Sequence, residues 1–426
     1  MSEAHYDILI VGGGMVGSLL ACALGNADLK VAVLERTPNV PPPEEDYDLR
    51  VSAITLASRA IFEAIGAWRG MEARRISTVQ AMHIWEAVGS GSIHFDSADI
   101  GEPCLAYIIE NSVILAALQE RLQQFTNVHY LCPLEIEEIN ISEDKAAATL
   151  KDARHISPAT DSPSPILGEG WGGGRNLHAR LLVGADGADS CVRQAVGIDA
   201  RGFSFDQKGI VATVVTEKPH AHIARQRFLP TGPLAFLPLD EAHTSSIVWS
   251  ADTVRADELL ALDDTAFMAQ LQEAFDALGK IQSVSPRAAF PLALTHAKAY
   301  TAPRAALIGD AAHTVHPLAG QGVNLGFLDA ATLAEVLLEA NAKKKDIGSL
   351  SVLRRYERRR KGDNLAMLAA TSGFKLLFGS SFPGVGFLRN LGMDLTNAVT
   401  PIKNFIMRRA SGLEGDLPKL ARRVHS

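Results

Sequence analysis

Cysteine is scarce in this chain and is spread without a recognisable pattern. The four cysteines are Cys22, Cys104, Cys132 and Cys191, and no two of them form a C-x-x-C pair. Their spacing excludes a disulfide framework and a zinc site, and it is typical of a protein in a reducing cytosol. Long apolar runs are also lacking, because no stretch reaches the ~18–20 residues that a membrane-spanning helix needs. We expect a soluble protein, attached at most to a membrane surface.

Positive charge is not concentrated anywhere along the chain. The net charge is −7, from 41 Lys and Arg against 48 Asp and Glu, and no long basic run offsets it. This balance argues against nucleic acid as a partner. The 47% hydrophobic and 21% charged fractions are those of an ordinary enzyme, and 426 residues can bury a large core. The first apolar run, Ile8 to Val11, is bounded by Asp7 and glycines, which predicts a strand and not a signal peptide.

A glycine-rich motif follows this first predicted strand. Gly12, Gly14 and Gly17 form a G-x-G-x-x-G pattern, a helical run comes next, and a second apolar strand ends at Glu35. The order of strand, glycine turn, helix, strand and acid predicts a dinucleotide site. Gly12 would permit the tight turn, Gly14 would let a pyrophosphate approach the backbone, and Gly17 would let helix and strand pack closely. Glu35 would accept hydrogen bonds from ribose hydroxyls. This motif alone does not distinguish NAD from FAD.

Two further segments combine a strand end with an aspartate. The apolar run Ala305 to Ile308 predicts a buried strand that leads to Asp310, and a helical pattern begins near Gly322. Backbone N–H groups and a positive helix end would thus surround a group that carries or develops negative charge. The segment from 181 to 193 predicts a strand, a turn at Asp186 and a helix start, with Asp189 or Ser190 as the N-cap. Alone, this second segment is a routine turn.

Together, these motifs carry a resemblance to a known family. The segment Gly12 to Gly17 with Glu35, the Asp186-Gly187 pair, and Gly309-Asp310 with its extension to Gly326 resemble group A flavoprotein monooxygenases of the para-hydroxybenzoate hydroxylase fold. More narrowly, the chain resembles the ubiquinone-biosynthesis hydroxylases of the UbiH, UbiF and UbiI type with their Coq6 relatives. The stretches 48–54 and 107–111 also match, and only an insertion near residues 153–178 does not. The stretch 322–330 is most similar to the branch that hydroxylates C5 of a 2-polyprenylphenol.

The resemblance implies a set of FAD-binding residues. Gly12, Gly14 and Gly17 would hold the pyrophosphate, Glu35 the adenosine ribose and Asp310 the ribityl chain. The backbone from Gly320 to Asn324 would meet the pyrimidine edge of the flavin, and Asp186 would serve both FAD and the reducing nucleotide. The full set is Gly12, Gly14, Val16, Gly17, Glu35, Arg36, Arg50, Asn111, Asp186, Asp310, Gly320, Gly322, Val323 and Asn324.

The resemblance also implies the chemistry. NADPH or NADH would reduce the flavin, which would then use O₂ to place an oxygen atom on an electron-rich phenol ring; the cofactor carries the hard step. No catalytic base can be named, and the candidates for catalysis are His313, His316 and Pro317. A metal site is disfavoured because the two histidines lie in a loop with no carboxylate or third histidine close in sequence. A proton-handling role stays open for them, while Pro317 would shape the loop.

Several other functions remain open at this point. They are hydroxylation at another ring position of the same pathway, hydroxylation of a different aromatic substrate, reduction of isoprenoid double bonds by the same fold, and a flavin-bearing assembly protein without activity. Only one glycine motif precedes a strand and an acid, so a second nucleotide domain of the disulfide-reductase kind is not expected. The four tryptophans do not form the W-x-W-x-I-P pattern of flavin halogenases. Both observations favour a monooxygenase.

We therefore expect an α/β protein with a Rossmann-like FAD-binding domain interleaved with a β-sheet substrate domain. The FAD-binding domain would comprise residues 1–75, 105–198 and 300–345, with a flexible insertion at 153–178. The substrate domain would comprise 76–104 and 199–299, and residues 346–426 would form a C-terminal helical region. This region would pack over the FAD domain or bind a membrane surface or a ubiquinone-biosynthesis complex. We expect a cytoplasmic location, with the inner face of the bacterial membrane and an oligomer as open alternatives.

Overall fold

The computed structural model describes residues 4–42, 46–87, 91–151, 175–314, 322–379 and 399–422. The strands, in chain order, are β1 (Ala4–Val11), β2 (Val31–Leu34), β3 (Val51–Thr55), β4 (Ser77–Val79), β5 (Ala81–Glu86), β6 (Ser92–Asp96), β7 (Ala106–Glu110), β8 (Val128–Leu131), β9 (Ile136–Ile141), β10 (Ala146–Leu150), β11 (Arg175–Gly184), β12 (Ala200–Thr216), β13 (Ile223–Leu229), β14 (Gly232–Pro238), β15 (Thr244–Asp252), β16 (Ile281–Val284), β17 (Ala288–Ala297), β18 (Thr301–Ala302), β19 (Ala305–Leu307) and β20 (His313–Thr314). The helices are α1 (Met15–Ala23), α2 (Leu56–Ile65), α3 (Trp68–Glu72), α4 (Asn111–Leu122), α5 (Cys191–Ala195), α6 (Thr253–Ala261), α7 (Asp264–Ala274), α8 (Gly322–Ala342), α9 (Leu350–Gly379) and α10 (Thr400–Ala410).

The first sheet has a parallel centre. In the described chain it contains eight strands, ordered β18-β19-β11-β1-β2-β8 with β10 and β9 added at β11. Strands β19, β11, β1, β2 and β8 run parallel to one another. They are short and apolar on both faces, as expected of strands covered on both sides. Beside this sheet, helix α1 packs against both α4 and α8, and α9 packs against α8. This layer arrangement buries the largest core of the protein.

The second sheet is almost wholly antiparallel. Its nine described strands follow the order β20-β17-β12-β15-β14-β13-β5-β6, with β16 also paired to β12. Helices α6 and α7 cover one face and build a separate core around Phe236, Trp249, Phe267 and Phe275. Short apolar runs that begin at Gly209, Leu234 and Ser246 predict strands, and all three lie in this sheet. The sequence pattern from Ala266 to Leu278 predicts a helix over those residues, whereas α7 begins two residues earlier, at Asp264, and ends at Ala274.

A small third sheet joins the two larger ones. It consists of β3, β7 and β4, and its apolar residues pack against Leu237 and Leu239 at the end of β14. Helix α2 leaves β3 directly, with the Thr55 side chain accepting a hydrogen bond from the Ser58 backbone N–H as its N-cap. Arg50 directly precedes β3 and Asn111 directly follows β7, and the Asn111 backbone N–H donates to the Arg50 carbonyl, so two predicted cofactor residues lie together at one end of this sheet.

Two sequence expectations about segment limits need correction. Residues 175–178, which were assigned to the flexible insertion, form the start of β11 and pair with both β1 and β10. Residues 177 and 178 continue the ladder that the following residues of β11 make with β1, and residues 175 and 176 extend the ladder with β10. In addition, His313 and Thr314 belong to the second sheet, where they pair with β17, although they were assigned to the FAD-binding domain. Residues 152–174 lie outside the described ranges, and the other domain limits stay a prediction.

The C-terminal region packs against the first sheet through the first half of α9. Tyr356 and Arg360 of this helix are fully buried, and the Tyr356 hydroxyl donates to the Leu307 carbonyl at the end of β19. Helix α10 lies near the turn at Ser97–Ile100, where Asn404 and Arg408 donate to backbone carbonyls. Among the helices that the structure describes, none is long and apolar enough to span a bilayer.

Candidate active site

Three predicted motifs meet at one edge of the first sheet. Val11 of β1, Gly184 of β11 and Leu307 of β19 lie side by side in register, and all three strands run parallel. The glycine motif, the Asp186 turn and the Asp310 segment each begin at the next residues of these strands. Ligands of open α/β sheets bind outside the carboxyl ends of the strands, so this edge is the expected place for a cofactor.

The glycine motif has the geometry that the sequence predicts. Gly12 has φ of +102°, and a Cβ there would collide with the Ala185 carbonyl of the neighbouring strand end. A Cβ at Gly17 would collide with the Gly12 carbonyl, so this position holds α1 against the turn. A Cβ at Gly14 would meet nothing within 4 Å. Space therefore lies directly over the N-terminus of α1, where a pyrophosphate is stabilised by backbone N–H groups.

Glu35 lies beside the glycine motif. Its Oε2 accepts a hydrogen bond from the Gly13 backbone N–H at 2.6 Å, and its Oε1 accepts one from the Thr37 N–H at 2.9 Å. The Tyr130 hydroxyl donates to the Gly13 carbonyl at 3.3 Å and so supports the same turn. A carboxylate has about four acceptor positions, which leaves Glu35 able to accept from ribose hydroxyls as well. The neighbouring Arg36 is exposed.

The carboxylate of Asp186 is engaged within its own turn. It accepts hydrogen bonds from the Ser190 hydroxyl at 2.6 Å and from the Val192 backbone N–H at 3.2 Å. Ser190 is the N-cap of α5, as one of the two alternatives predicted. Arg193 of this helix is buried, and its guanidinium donates to the Ala311 carbonyl at 2.9 Å. The turn therefore supports the Asp310 segment through Arg193, which sequence reasoning did not single out. A direct cofactor contact of Asp186 stays a prediction.

Val16 joins the glycine motif to the Asp310 segment. Its side chain lies 3.3 Å from the position that a Cβ on Gly309 would occupy, and 2.8 Å from the corresponding position on Gly326. Gly309 itself has φ of +59°. Only glycines at these two positions let α1, the start of α8 and the strand end approach so closely. Val16, predicted as a cofactor residue, thus also holds the two halves of the site together.

Asp310 is the accessible carboxylate at this edge. Its side chain is exposed, although protein atoms closely surround its carboxyl group. Desolvation raises the pKa of the Asp310 carboxyl, and the positive charges of His313 and Arg50 oppose that rise. Arg50, which is exposed, also lies 4.9 Å from the ring centre of Phe290 on β17. Arg50 thus contacts β17 and acts electrostatically on Asp310, while its predicted place near the FAD stays a prediction.

Asn111 and Asn324 use their side chains to connect elements. Asn111 accepts a hydrogen bond from the Ser52 hydroxyl at 2.7 Å. The buried Asn324 donates to the Ala53 carbonyl at 2.7 Å and accepts from the Thr55 backbone N–H at 3.0 Å. These bonds fasten the start of α8 to β3 and α2. The side chain of Asn324 is therefore structural, and Gly322 and Val323 present the first backbone N–H groups of α8 at the same end.

A buried charged cluster lies behind the Asp310 segment, and the sequence reasoning missed three of its members. Fully buried Asp329 of α8 accepts hydrogen bonds from the His313 ring at 2.5 Å, from the Arg360 guanidinium at 2.9 Å and from the Asn364 amide at 3.1 Å. It also accepts from the Gly309 backbone N–H at 3.2 Å. Burial acts to raise the pKa of Asp329, but its two cationic neighbours hold that pKa below the usual range. The available signal was that Asp329 is the lone acid in the apolar run 325–334.

The described residues suit a bound FAD. The open space at Gly14, the acceptor Glu35, the accessible Asp310 and the nearby Arg50 together offer partners for a pyrophosphate, a ribose and a polyhydroxyl chain. His316, Pro317 and Gly320 fall in the range 315–321, outside the described residues, so their predicted roles stay predictions. In the described part of the chain, no group of three or more His, Cys, Asp or Glu residues is arranged to hold a metal ion.

Comparisons with known proteins agree with this site. The FAD binding domain family matches residues 5–370. The ubiquinone biosynthesis monooxygenase COQ6 of Rattus norvegicus is 36% identical over 452 residues, which cover 96% of this chain and 92% of that protein. The ubiquinone hydroxylase UbiL of Rhodospirillum rubrum is 36% identical over 427 residues, which cover 98% and 93%.

Solved structures show the same fold. The p-nitrophenol 4-monooxygenase PnpA of Pseudomonas putida superposes with a TM-score of 0.75 at 22% identity and full coverage of both chains. PqsL of Pseudomonas aeruginosa, a probable FAD-dependent monooxygenase, gives a TM-score of 0.71 at 23% identity, covering 91% of this chain and 99% of that one. The predicted fold class is confirmed. The chain belongs to the FAD binding domain family and, within it, to the FAD-dependent monooxygenases of the ubiquinone-biosynthesis hydroxylase group.

Proposed function

We propose that this monooxygenase hydroxylates the aromatic ring of a polyprenylated phenol in ubiquinone biosynthesis, at C5 of a 2-polyprenylphenol. The observation that carries the proposal is similarity over nearly the full chain to a protein named a ubiquinone biosynthesis monooxygenase and to one named a ubiquinone hydroxylase. The choice of C5 rests on the stretch 322–330 at the start of α8. Hydroxylation of another carbon of the same ring is the alternative.

The protein's own part in this reaction is to bind, orient and shield. Bound FAD, once reduced by NADPH or NADH, supplies the oxygen-activating chemistry. The α1 N-terminus and Glu35 would hold the nucleotide half, while Asp310 and Arg50 lie where the flavin half would bind. The second sheet stands opposite, with β17 reaching Arg50 through Phe290. A substrate ring between this sheet and the flavin would be removed from water, which limits loss of activated oxygen.

Apolar side chains of the second sheet support a prenylated substrate. Phe290 is 37% exposed beside Arg50, and Phe203 of the adjacent strand β12 is 64% exposed. Phe203 is paired opposite Leu294, on the same face of the sheet as Phe290, and its ring meets Phe205 edge to face at 5.3 Å. Exposed aromatic surface of this kind is costly in water and suits an apolar ligand. The isoprenoid chain would lie against these rings.

The decisive experiment separates hydroxylation from reduction. Enzyme with bound FAD is mixed anaerobically with NADPH, with and without a 2-polyprenylphenol, and labelled O₂ is then admitted. We expect the phenol to accelerate flavin reduction and one labelled oxygen atom to appear at C5. Flavin reduction without label in the ring would rule out a hydroxylase. Label at another carbon would keep the hydroxylase and overturn the assignment of C5.

We further propose that the protein works in the cytoplasm at the inner face of the membrane, to which α10 attaches it. Ile402 and Phe405 of this helix are 47% and 56% exposed, Ile406 is partly exposed, and Arg408 and Arg409 lie in its last turn. An exposed apolar helix face with adjacent cations is typical of attachment to anionic lipid. The apolar residues between Phe374 and Leu388 of the C-terminal region are further candidates for membrane contact from the sequence, and their side chains lie outside the described residues.

Attachment can be tested without disturbing the core. Replacing Ile402 and Phe405 with glutamate changes only exposed side chains, so folding and FAD binding should be retained. We expect the variant to lose sedimentation with vesicles that contain anionic lipid. Val254→Glu, at an exposed apolar residue of α6 that is even more accessible than Ile402 and Phe405, is the control. Unchanged sedimentation of the double variant would exclude α10 as the attachment surface.

A further inference from the structure

Strand β13 buries a side-chain amide that the protein does not pair. Gln226 is 5% exposed, and within the described residues its side chain makes no hydrogen bond. The other buried side-chain amides of the described chain, Asn324 and Asn364, are both hydrogen-bonded. Burying an amide without a partner is costly, so Gln226 calls for an explanation beyond packing.

The Gln226 side chain lies on the face of the second sheet that is turned away from α6 and α7. The next residue, Arg227, donates to the Ala274 carbonyl of α7 at 2.9 Å and so lies on the helix-covered face. Successive side chains of a strand lie on opposite faces, so Gln226 shares the other face with Ala224. Ala224 belongs to the apolar cluster that joins this face to Ala53 of β3.

Two contacts connect this face to the proposed flavin site. Asn324, at the start of α8, donates to the Ala53 carbonyl at 2.7 Å. Arg50, which directly precedes β3, lies 4.9 Å from the ring centre of Phe290. The strand register places Phe290 on the same face as Gln226. Gln226 therefore lies on the side of the second sheet where FAD and substrate are expected.

The neighbours of Gln226 across the sheet are apolar. Ile84 of β5 and Ala235 of β14 flank it directly in the two ladders. The same row continues through Val248 of β15 and Val211 of β12. Of these five side chains Gln226 alone is polar, and none of the other four can hydrogen-bond its amide. Ligand sites combine an apolar lining with a few placed polar groups, and this row has that composition.

We propose that Gln226 is the residue that binds the hydroxyl group of the phenol substrate, while the ring lies over Ala235 and Val248. The inference rests on the proposed function and adds the residue that orients the ring. A phenol hydroxyl and a primary amide can each donate and accept a hydrogen bond, so one hydroxyl pairs the amide that the protein leaves unpaired. A ring without the hydroxyl would leave Gln226 unpaired and so bind less well.

The test compares 2-prenylphenol with prenylbenzene, which lacks only the hydroxyl group. Binding of each compound to the enzyme with oxidised FAD, without NADPH, is measured from the change in flavin absorption. The quantity of interest is the ratio of the two dissociation constants. Gln226→Met keeps the length of the side chain and removes its amide, so it should reduce the preference for the phenol about tenfold or more. Its affinity for prenylbenzene should not fall.

Gln272→Met is the matched control for this substitution. Gln272 lies on α7, and its amide donates to the Gly279 carbonyl at 3.0 Å and accepts from the Ile281 N–H at 2.8 Å. Because these bonds are lost, Gln272→Met should lower Tm and leave the preference for the phenol unchanged. Gln226→Met breaks no bond within the protein and should keep or raise the Tm of the substrate-free enzyme.

An unchanged preference for the phenol in Gln226→Met would overturn the proposal and leave the hydroxylase function intact. If the unmodified enzyme binds the phenol no better than Gln226→Met does, or fails to place labelled oxygen in its ring, the proposed function itself fails. Gln226→Asn withdraws the amide by one methylene group and should also reduce the preference. It decides the question if Gln226→Met does not fold.

Discussion

Asp310 and Asp329 lie at the two ends of one segment, and their surroundings give them opposite character. The Asp310 side chain is exposed, but surrounding protein atoms desolvate its carboxyl and raise its pKa, and nearby cations only partly compensate. Asp329 is completely buried, yet its pKa is lowered, because His313 and Arg360 outweigh the burial. The surroundings of Asp310 thus disfavour its ionised form, whereas the ion pairs of the buried Asp329 stabilise its ionised form. This difference indicates that Asp329 serves stability and Asp310 serves a ligand.

The largest expected effect is on the buried side of this comparison. Asp329→Asn leaves Arg360 without its carboxylate and should lower the free energy of unfolding by about 3–5 kcal/mol at neutral pH. A carboxyl with a lowered folded pKa stabilises the fold above its unfolded pKa, and this contribution is lost as pH falls through the folded pKa. The difference between the variant and the original protein, measured by chemical denaturation, should therefore shrink in acid. A constant difference down to acid pH would contradict the role given to Asp329.

The second prediction concerns the backbone-built half of the site. Gly17→Val should force the Gly12 carbonyl away from α1, which destabilises the fold by about 1–3 kcal/mol or more and abolishes FAD binding. Gly14→Ala is the matched control, because its Cβ would enter open space. It should keep the Tm of the protein without cofactor and lower only the affinity for FAD. Equal losses of Tm in the two variants would show that the space at Gly14 is structural.

The third prediction concerns Asp310, where we expect the change in the free energy of unfolding to have the opposite sign to that at Asp329. A raised carboxyl pKa means that the folded state binds a proton more tightly, so stability falls as pH rises between the unfolded and the folded pKa. Asp310→Asn removes this cost and should raise the free energy of unfolding of the FAD-free protein at neutral pH by roughly a few tenths of a kcal/mol, because solvent screens the exposed carboxylate. The same variant should bind FAD more weakly. Thermal denaturation with and without FAD measures both effects, and a loss of stability in the FAD-free state would refute the comparison.

The smallest expected effect tests the turn at Asp186. Ser190→Ala removes the N-cap of α5 and one bond to the Asp186 carboxylate, for a loss of about 1 kcal/mol. If Asp186 serves mainly to shape its turn, Tm should fall while the affinities for FAD and NADPH stay unchanged. A selective loss of NADPH affinity would instead support the predicted contact with the reducing nucleotide.

Sequence reasoning reached the parts of the site that are local in the chain. The glycine motif, Glu35 and the Asp310 segment each combine a strand end with a short turn, and such patterns can be read from consecutive residues. The partners of Asp329 could not be found in this way, because Arg360 and Asn364 are 31 and 35 residues away in another helix. Arg360 also sits in the basic run 354–361, where nothing distinguishes it from its exposed neighbours. Similarly, the sequence assigned only the backbone of Asn324 to the cofactor and could not show that its side chain fastens α8 to Ala53 and Thr55, more than 260 residues away.

The pairing of His313 and Thr314 with β17 has a mechanical consequence. These residues continue the flavin segment, but their backbone is hydrogen-bonded into the sheet that would cover the substrate. That sheet cannot tilt away from the first one without moving His313 as well or breaking the hydrogen bonds between β17 and β20. Movement of the second sheet is therefore transmitted directly to the groups around Asp310. We therefore expect that a motion that opens the site to the proposed substrate would also weaken the contacts that hold the flavin.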